Sequence, residues 1–449
     1  MLINRNYTWL WIGQAVSLVG DYVFDTTLLL WLATMLLEGR PYAPLVSGGV
    51  LVLASAVILV VGPIAGVLVD RWPNKLRTMR RADLARAALI GVLAVVACLP
   101  AGTIPLVVEL VVIGVVVAAT TAVSQLFNPA RFVLIGDVVP AEHRGRATGY
   151  GQATGALAAI IGPPLAAPLL FAAGVQWALV INAVSFLVSY VMISAVRVEQ
   201  ATASPAGPAQ SEPAGSVRTE LIDGLRFIAG NRVLTAIFVS IVMAVLGVGA
   251  LQALDVYFVQ ENLHADPKRW FGYLGTAFGV GGLIGALVGG WIADRMGPAR
   301  TYCTALLAFA VCFIGYARAT SIWPGLAAVA GFSLALGVLN TAASPLMLKI
   351  IPRHYQGRVL SVFTMANRLP ELGAMLLSTL LVSTVLRHLD VTVAGIHLGR
   401  VDAVFLAGGL LVLAAGLYAT RALHTIDRTW AHEPEEDPAV LSSYESGGR

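Results

Sequence analysis

Gly66-Val67-Leu68-Val69-Asp70-Arg71 and Gly290-Trp291-Ile292-Ala293-Asp294-Arg295 are two copies of one pattern, G-x-x-x-D-R, 294 − 70 = 224 positions apart. A second pair supports the first: Pro140 to Arg146, PAEHRGR, and Pro352 to Arg358, PRHYQGR, are offset by 357 − 145 = 212. One such match could be chance. Two matches in equivalent connections imply that the chain consists of two structural repeats.

Around these connections the chain is apolar. Its 449 residues are 57% hydrophobic and only 12% charged, with a mean hydropathy of +0.80. Soluble domains carry roughly twice that charge, so this is an integral membrane protein and the lipid bilayer is its surroundings. Runs of about 20 apolar residues mark spanning helices. Twelve are read, over 7–37, 44–69, 82–101, 104–127, 146–173, 175–196, 233–260, 270–293, 300–319, 322–349, 358–387 and 401–423.

The net charge of +4 would hint at nucleic acid in a soluble chain. Here the basic residues lie between apolar runs, and no nucleic-acid partner is expected. Arg71, Lys75, Arg77, Arg80 and Arg81 follow span 2, Arg144 and Arg146 precede span 5, and Arg197, Arg218 and Arg226 follow span 6. Arg295 and Arg300 follow span 8, and Arg353 and Arg358 follow span 10. These are alternate connections, so they share one side, which their charge makes cytoplasmic along with both termini. Cys98, Cys303 and Cys312 lie within spans, without a CxxC pair or His partners, and read as small apolar fillers. The first span is too long for a signal-peptide core and is expected to be retained.

The expected domains follow. Residues 1–197 form a first six-helix bundle, and 198–217, rich in Pro, Ala, Gly, Ser and Glu, form a flexible cytoplasmic linker. In 218–232, Leu221, Leu225 and Ile228 recur at helical spacing among Arg218, Glu220, Asp223 and Arg226, which suits an amphipathic helix at the interface. Residues 233–424 form the second bundle, and 425–449 are expected to be a disordered cytoplasmic tail.

On these motifs the chain resembles the major facilitator superfamily, whose signature after span 2 reads roughly G-x-L-A-D-R-x-G-R-K. Gly66, Leu68, Asp70, Arg71 and Lys75 match it in register, whereas Val69, Pro73 and Asn74 depart from it. The resemblance covers essentially the whole chain and implies an all-α fold of two six-helix bundles. Physically, Asp70 near a helix end can accept backbone hydrogen bonds and pair with arginine, latching the halves together. Gly66, Asp70, Arg71 and Lys75, with Gly290, Asp294 and Arg295, are therefore the expected conformational latch.

In span 5, Gly149, Gly162 and Pro163 match part of a glycine-proline pattern of drug:proton antiporters, with alanine replacing glycine at 158, 166 and 167. Gly162 and Pro163 are expected to form a bend, because proline removes a helix hydrogen bond. Gly281, Gly285 and Gly289 in span 8 form a small-residue packing ladder. The neighbouring GVGGLIG is no dinucleotide fingerprint, since no strand precedes it.

Ionisable residues inside a membrane cost about 2.5–3.5 kcal/mol each on insertion scales and mark function by default. The candidates for proton coupling are Asp21 and Asp25 in span 1, Asp255 in span 7, and Arg368 with Glu371 in span 11; Glu109 in span 4 is read as interfacial. Asp21 and Asp25 lie one turn apart, where low dielectric disfavours double ionisation. Arg368 and Glu371, three apart, can pair along one face, or Arg368 can reach Asp21 across the cavity. Span 4, read over 104–127, lacks the arginine that many drug antiporters carry there.

In the superfamily, spans 1, 4, 7 and 10 line the cavity. By that resemblance the substrate contacts are Gln14 and Phe24 in span 1, Gln252 in span 7, and Asn340 and Ser344 in span 10. Apolar walls with few polar anchors suit amphiphilic organic molecules. The expected activity is export of such a molecule, a drug, antibiotic, siderophore or other metabolite, by a monomer exchanging it for protons. The energy source is the proton gradient, with no cofactor and no metal. Phrases such as GQAVSLVGD and NPARFVLIGDVVP resemble the branch containing macrolide efflux proteins and the enterobactin exporter. The alternatives are an uncoupled facilitator or lipid transporter of the same fold, and a membrane enzyme, against which the absence of HExxH, GxSxG and clustered acidic motifs counts.

Overall fold

The computed structural model describes residues 3–72, 74–100, 102–197, 217–351, 356–393 and 396–423. The first half contains α1 (Arg5–Trp31, continued by a π turn Leu32–Leu36), α2 (Ala43–Arg71), α3 (Lys75–Ala97), α4 (Leu106–Val138), α5 (Arg144–Pro168, continued by a π turn Leu169–Ala173) and α6 (Val175–Ser194). After α7 (Val217–Gly230), the second half contains α8 (Arg232–Glu261), α9 (Pro267–Met296), α10 (Pro298–Ala317), α11 (Ile322–Ile350), α12 (Gln356–Ser383) and α13 (Arg400–Leu423). A small antiparallel hairpin, β1 (Asp390–Val393) and β2 (Ile396–Gly399), precedes α13, with Asp390 opposite Gly399.

Local chemistry sets the helix ends. The Asn4, Asn74 and Asn231 side chains cap α1, α3 and α8 by accepting from Tyr7, Arg77 and Val233 backbone N–H groups at 2.7, 2.8 and 2.9 Å, which satisfies otherwise orphaned donors. Gly174 and Gly297 turn the chain between α5 and α6 and between α9 and α10 at φ of 100° and 83°, where a side chain would be strained.

Among the described residues, ten helices are long and apolar enough to cross a bilayer by length and composition alone. The remaining two spans are α3 and α12, whose charges dilute the apolar signal while packing keeps them in the bundles. The expected spans thus correspond to helices, with two shifted ends. Helix α3 begins at Lys75, not 82, and α4 runs to Val138, not 127, so Arg131 does lie on span 4. Linker positions 198–216 and tail positions 424–449 fall outside the described residues.

The halves repeat one another in packing. In the first, α1 packs on α5 and α6, α3 on α4 and α6, and α2 on α4. In the second, α8 packs on α12 and α13, α10 on α11 and α13, and α9 on α11, the same five pairings in the same order. The internal repeat read from G-x-x-x-D-R is therefore a repeat of architecture. Gly281, Gly285 and Gly289 do form the close seam between α9 and α11; a Cβ at Gly289 would sit 3.0 Å from the Val338 backbone. The second half is further filled by stacked rings, Phe258 lying 4.7 Å from Tyr316 and 5.0 Å from Phe405.

The halves touch through α5 against α9 and α2 against α12, pairs that the repeat exchanges. These contacts cluster at the ends away from the arginine-rich connections. There, Cβ atoms added to Gly272 and Gly275 would strike Pro163 or Pro164. The Thr276 hydroxyl lies 3.4 Å from the Ile160 carbonyl, and the hydroxyls of Ser47 and Tyr257 are hydrogen-bonded at 2.9 Å.

Candidate functional site

The polar interior of the first half begins on α1. Gln14, Asp21 and Asp25 are spaced by seven and four, one face of a helix. The opposite face, Val16, Val19 and Val23, lies in an apolar groove with α5 and α6 residues, including Leu165 and Trp177. Gly20 lets α6 approach: a Cβ there would sit 2.8 Å from the Asn182 side-chain oxygen. The Nε2 of Gln14 is buried and has no hydrogen-bond partner among the described residues.

Within electrostatic reach of Asp21 lie Asp83 and Arg86 of α3, two residues that the sequence reading passed over. The Arg86 guanidinium donates to Asp83 Oδ1, and the two side chains are 5% and 0% exposed. Arg86 is held between two rings, 4.2 Å from the centroid of Phe186 on α6 and 4.6 Å from that of Phe127 on α4. Asp83 Oδ2 and Arg86 Nε have no partner among the described residues. Such an arrangement keeps a guanidinium dry by lending it two aromatic faces and one carboxylate. Asp25 interacts electrostatically with Asp21 and is exposed. Among the described residues, Asp83 and Asp21 thus share one buried cation, and Asp25 lies one turn beyond Asp21.

In the second half, Gln252 Nε2 donates to Glu371 Oε1 at 2.9 Å, and Arg368 Nη1 donates to Glu371 Oε2 at 3.0 Å. Arg368 is 48% exposed and Glu371 16%. The short-range pair along α12 is thus the one formed, and Arg368 pairs with Glu371 rather than with Asp21. Asp255, a proton-coupling candidate of span 7, turns into the bundle, where the Tyr316 hydroxyl of α10 donates to it at 2.5 Å.

Asn340 lines a cavity of about 410 Å3 enclosed by α8, α10, α11 and α12, together with Thr364, Asn367 and the rings of Phe309 and Phe363. Phe24, expected at the cavity wall, is 6% exposed and belongs to the apolar core. The side chain of Ser344 lies outside the described residues.

At the arginine-rich ends, the Lys75 ammonium folds back onto the Val69 and Trp72 carbonyls and so caps α2. Arg71 and Asp294 are exposed, and Arg295 stacks over Trp291 at 3.9 Å. A Cβ at Gly66 or Gly290 would meet nothing within 4 Å, and the side chain of Asp70 is outside the described residues. Gly162 seats α5 against Tyr22 of α1, where a Cβ would be 3.3 Å from the Tyr22 backbone carbon, while Pro163 meets α9 across the halves. The segment expected to bend is therefore also a junction of three helices. Helix α5 continues through it to Pro168.

The family model of the Major Facilitator Superfamily matches residues 10–370 and, in a second alignment, 253–444. The chain is 27% identical over 400 residues to BacE of Bacillus subtilis, a protein named as a bacilysin exporter, covering 88% of this chain and 94% of that one. It is 27% identical over 333 residues to the multidrug efflux pump Tap of Mycobacterium bovis, covering 70% and 72%. In structure it is similar to a bacterial homologue of the iron transporter ferroportin in an inward-facing state, with a TM-score of 0.69 and 15% identity over 93% of this chain and 99% of that one.

Proposed function

The chain belongs to the major facilitator superfamily, and on that premise we propose that it exports a small amphiphilic organic molecule by alternating access in exchange for protons. It is a multi-pass membrane transporter; export, the proton and the bacterial plasma membrane as its site are parts of the proposal. The single observation that supports the proton is the chain of carboxylates Asp83, Asp21 and Asp25, of which Asp83 and Asp21 lie by Arg86, the one buried cation among the described residues. Three carboxylates and one guanidinium within the membrane span leave excess negative charge, which a bound proton offsets at Asp21 or Asp25.

With the arginine-rich connections taken as cytoplasmic, closure at the Ser47–Tyr257 end makes the conformation inward-facing. Substrate then enters the apolar pocket beside Asn340 and Asn367. The names of BacE and Tap support export as the direction. When the halves rock about the α5–α9 and α2–α12 contacts, the latch residues Asp70–Arg71 and Asp294–Arg295 approach and the cavity opens outward. The test is accumulation of a panel of amphiphilic dyes and antibiotics in cells with and without the gene. Lower accumulation of at least one compound with the gene is expected, and equal accumulation of all of them counts against export.

A further inference from the structure

The outer ends of α5 and α9 enclose a cleft of about 410 Å3 that the transport cycle above does not use. Its first-half wall is Pro164, Ala167, Pro168, Phe171 and Ala172; its second-half wall is Lys268, Arg269, Gly272 and Tyr273. The two cations lie at the outer face, where Arg40, Arg318, Arg387 and Arg400 also lie, away from the arginine-rich connections. Neither forms an ion pair among the described residues. The nearest carboxylate in sequence, Asp266, is engaged in capping α9 through the Lys268 N–H at 2.9 Å. Each cation is propped on a ring: Lys268 lies 5.3 Å from the Phe171 centroid, across the halves, and Arg269 5.2 Å from that of Trp270.

We propose that this cleft binds a phosphate group, and that its source is the headgroup of an anionic phospholipid lodged between the two halves. Unpaired Lys and Arg side by side favour a phosphate oxyanion. The depth favours a lipid, because Trp270, Tyr273 and Trp323 form an aromatic cluster of the kind that sits at headgroup level, with Trp270 and Trp323 rings 5.5 Å apart. The proline- and alanine-lined wall of α5 offers apolar surface to the upper acyl chain. Because the walls come from both halves, an occupied cleft favours the conformation in which α5 and α9 meet here.

The test is native mass spectrometry of the full chain in detergent, titrated with dioleoylphosphatidylglycerol, with dioleoylphosphatidylethanolamine, and with phosphatidylglycerol in the presence of 10 mM inorganic phosphate, ~ an excess over lipid. Phosphatidylglycerol is expected to be retained over phosphatidylethanolamine. The Lys268→Gln, Arg269→Gln pair should weaken it on the order of 10-fold, from about one charge interaction per cation. Arg40→Gln with Arg387→Gln removes equal charge from the same membrane face and should leave retention unchanged. Equal weakening by both double variants, or none by the first, overturns the site. Retention of inorganic phosphate with no phosphatidylglycerol retained overturns the lipid assignment.

Discussion

Replacing Arg86 by methionine isolates the buried cation's contribution. The substitution keeps length and apolar contact with Phe127 and Phe186 but leaves Asp83, 0% exposed, without its donor. Breaking a buried pair from one side costs about 3–5 kcal/mol. Loss of two ring–cation contacts adds roughly 1 kcal/mol, part of which the methionine sulfur restores. At about 2–4 °C per kcal/mol for a unit of roughly 200 residues, the melting midpoint should fall on the order of 10 °C. Adding Asp83→Asn removes the stranded charge and should restore at least half of that loss. The assay is a thermal ramp of detergent-purified protein at fixed scan rate, read by intrinsic tryptophan fluorescence, to which buried Trp31 of the first half contributes. A midpoint for Arg86→Met within 2 °C of the parent, roughly the assay's resolution, would refute the reasoning. So would a double variant no more stable than the single.

Three further outcomes follow from the contacts described. Tyr257→Phe removes the cross-half hydrogen bond to Ser47, which keeps a second bond to the Ala43 carbonyl at 2.8 Å; a net bond of about 1 kcal/mol predicts a roughly fivefold shift toward the outward-open state. Spin-label distances across the outer ends measure it, and an unchanged distribution contradicts it. Gly66→Leu with Gly290→Leu meets open space here, so expression and melting should match the parent while transport of any identified substrate is lost through blocked closure; a normal rate removes these glycines from the latch. Glu371→Gln leaves half-exposed Arg368 without its carboxylate, and a stability change within about 1 kcal/mol is expected; a larger loss would make the pair structural.

Much of the architecture was legible because it is written in period and repetition. Apolar runs place the spans, G-x-x-x-D-R places the repeat, and the small residues at 281, 285 and 289 place the α9–α11 seam. The site was less legible for specific reasons. Asp83 and Arg86 sit in MRRADLARA, at the very start of the span read over 82–101, where a charge reads as interfacial rather than buried. Once the helix is seen to begin at Lys75, their i, i+3 spacing three turns in marks a buried pair. Tyr316 lies 61 residues from Asp255, and Tyr257 lies 210 from Ser47, so no local period announces either contact. Phe24 shares a helix with the acidic pair but projects from another face, into the core. Of the two partners read for Arg368, the structure takes Glu371 rather than Asp21, because three residues along one helix is a far shorter reach than the width of a cavity.

The central claim is that protons drive export through the α1 carboxylates. Its most direct test is reconstitution of the parent and the Asp21→Asn, Asp25→Asn double variant into proteoliposomes, with transport of an identified dye substrate followed as a pH gradient is imposed and then dissipated with nigericin. The parent should transport only while the gradient lasts, and the double variant should not respond to it. Gradient-driven transport that persists in the double variant would contradict the account.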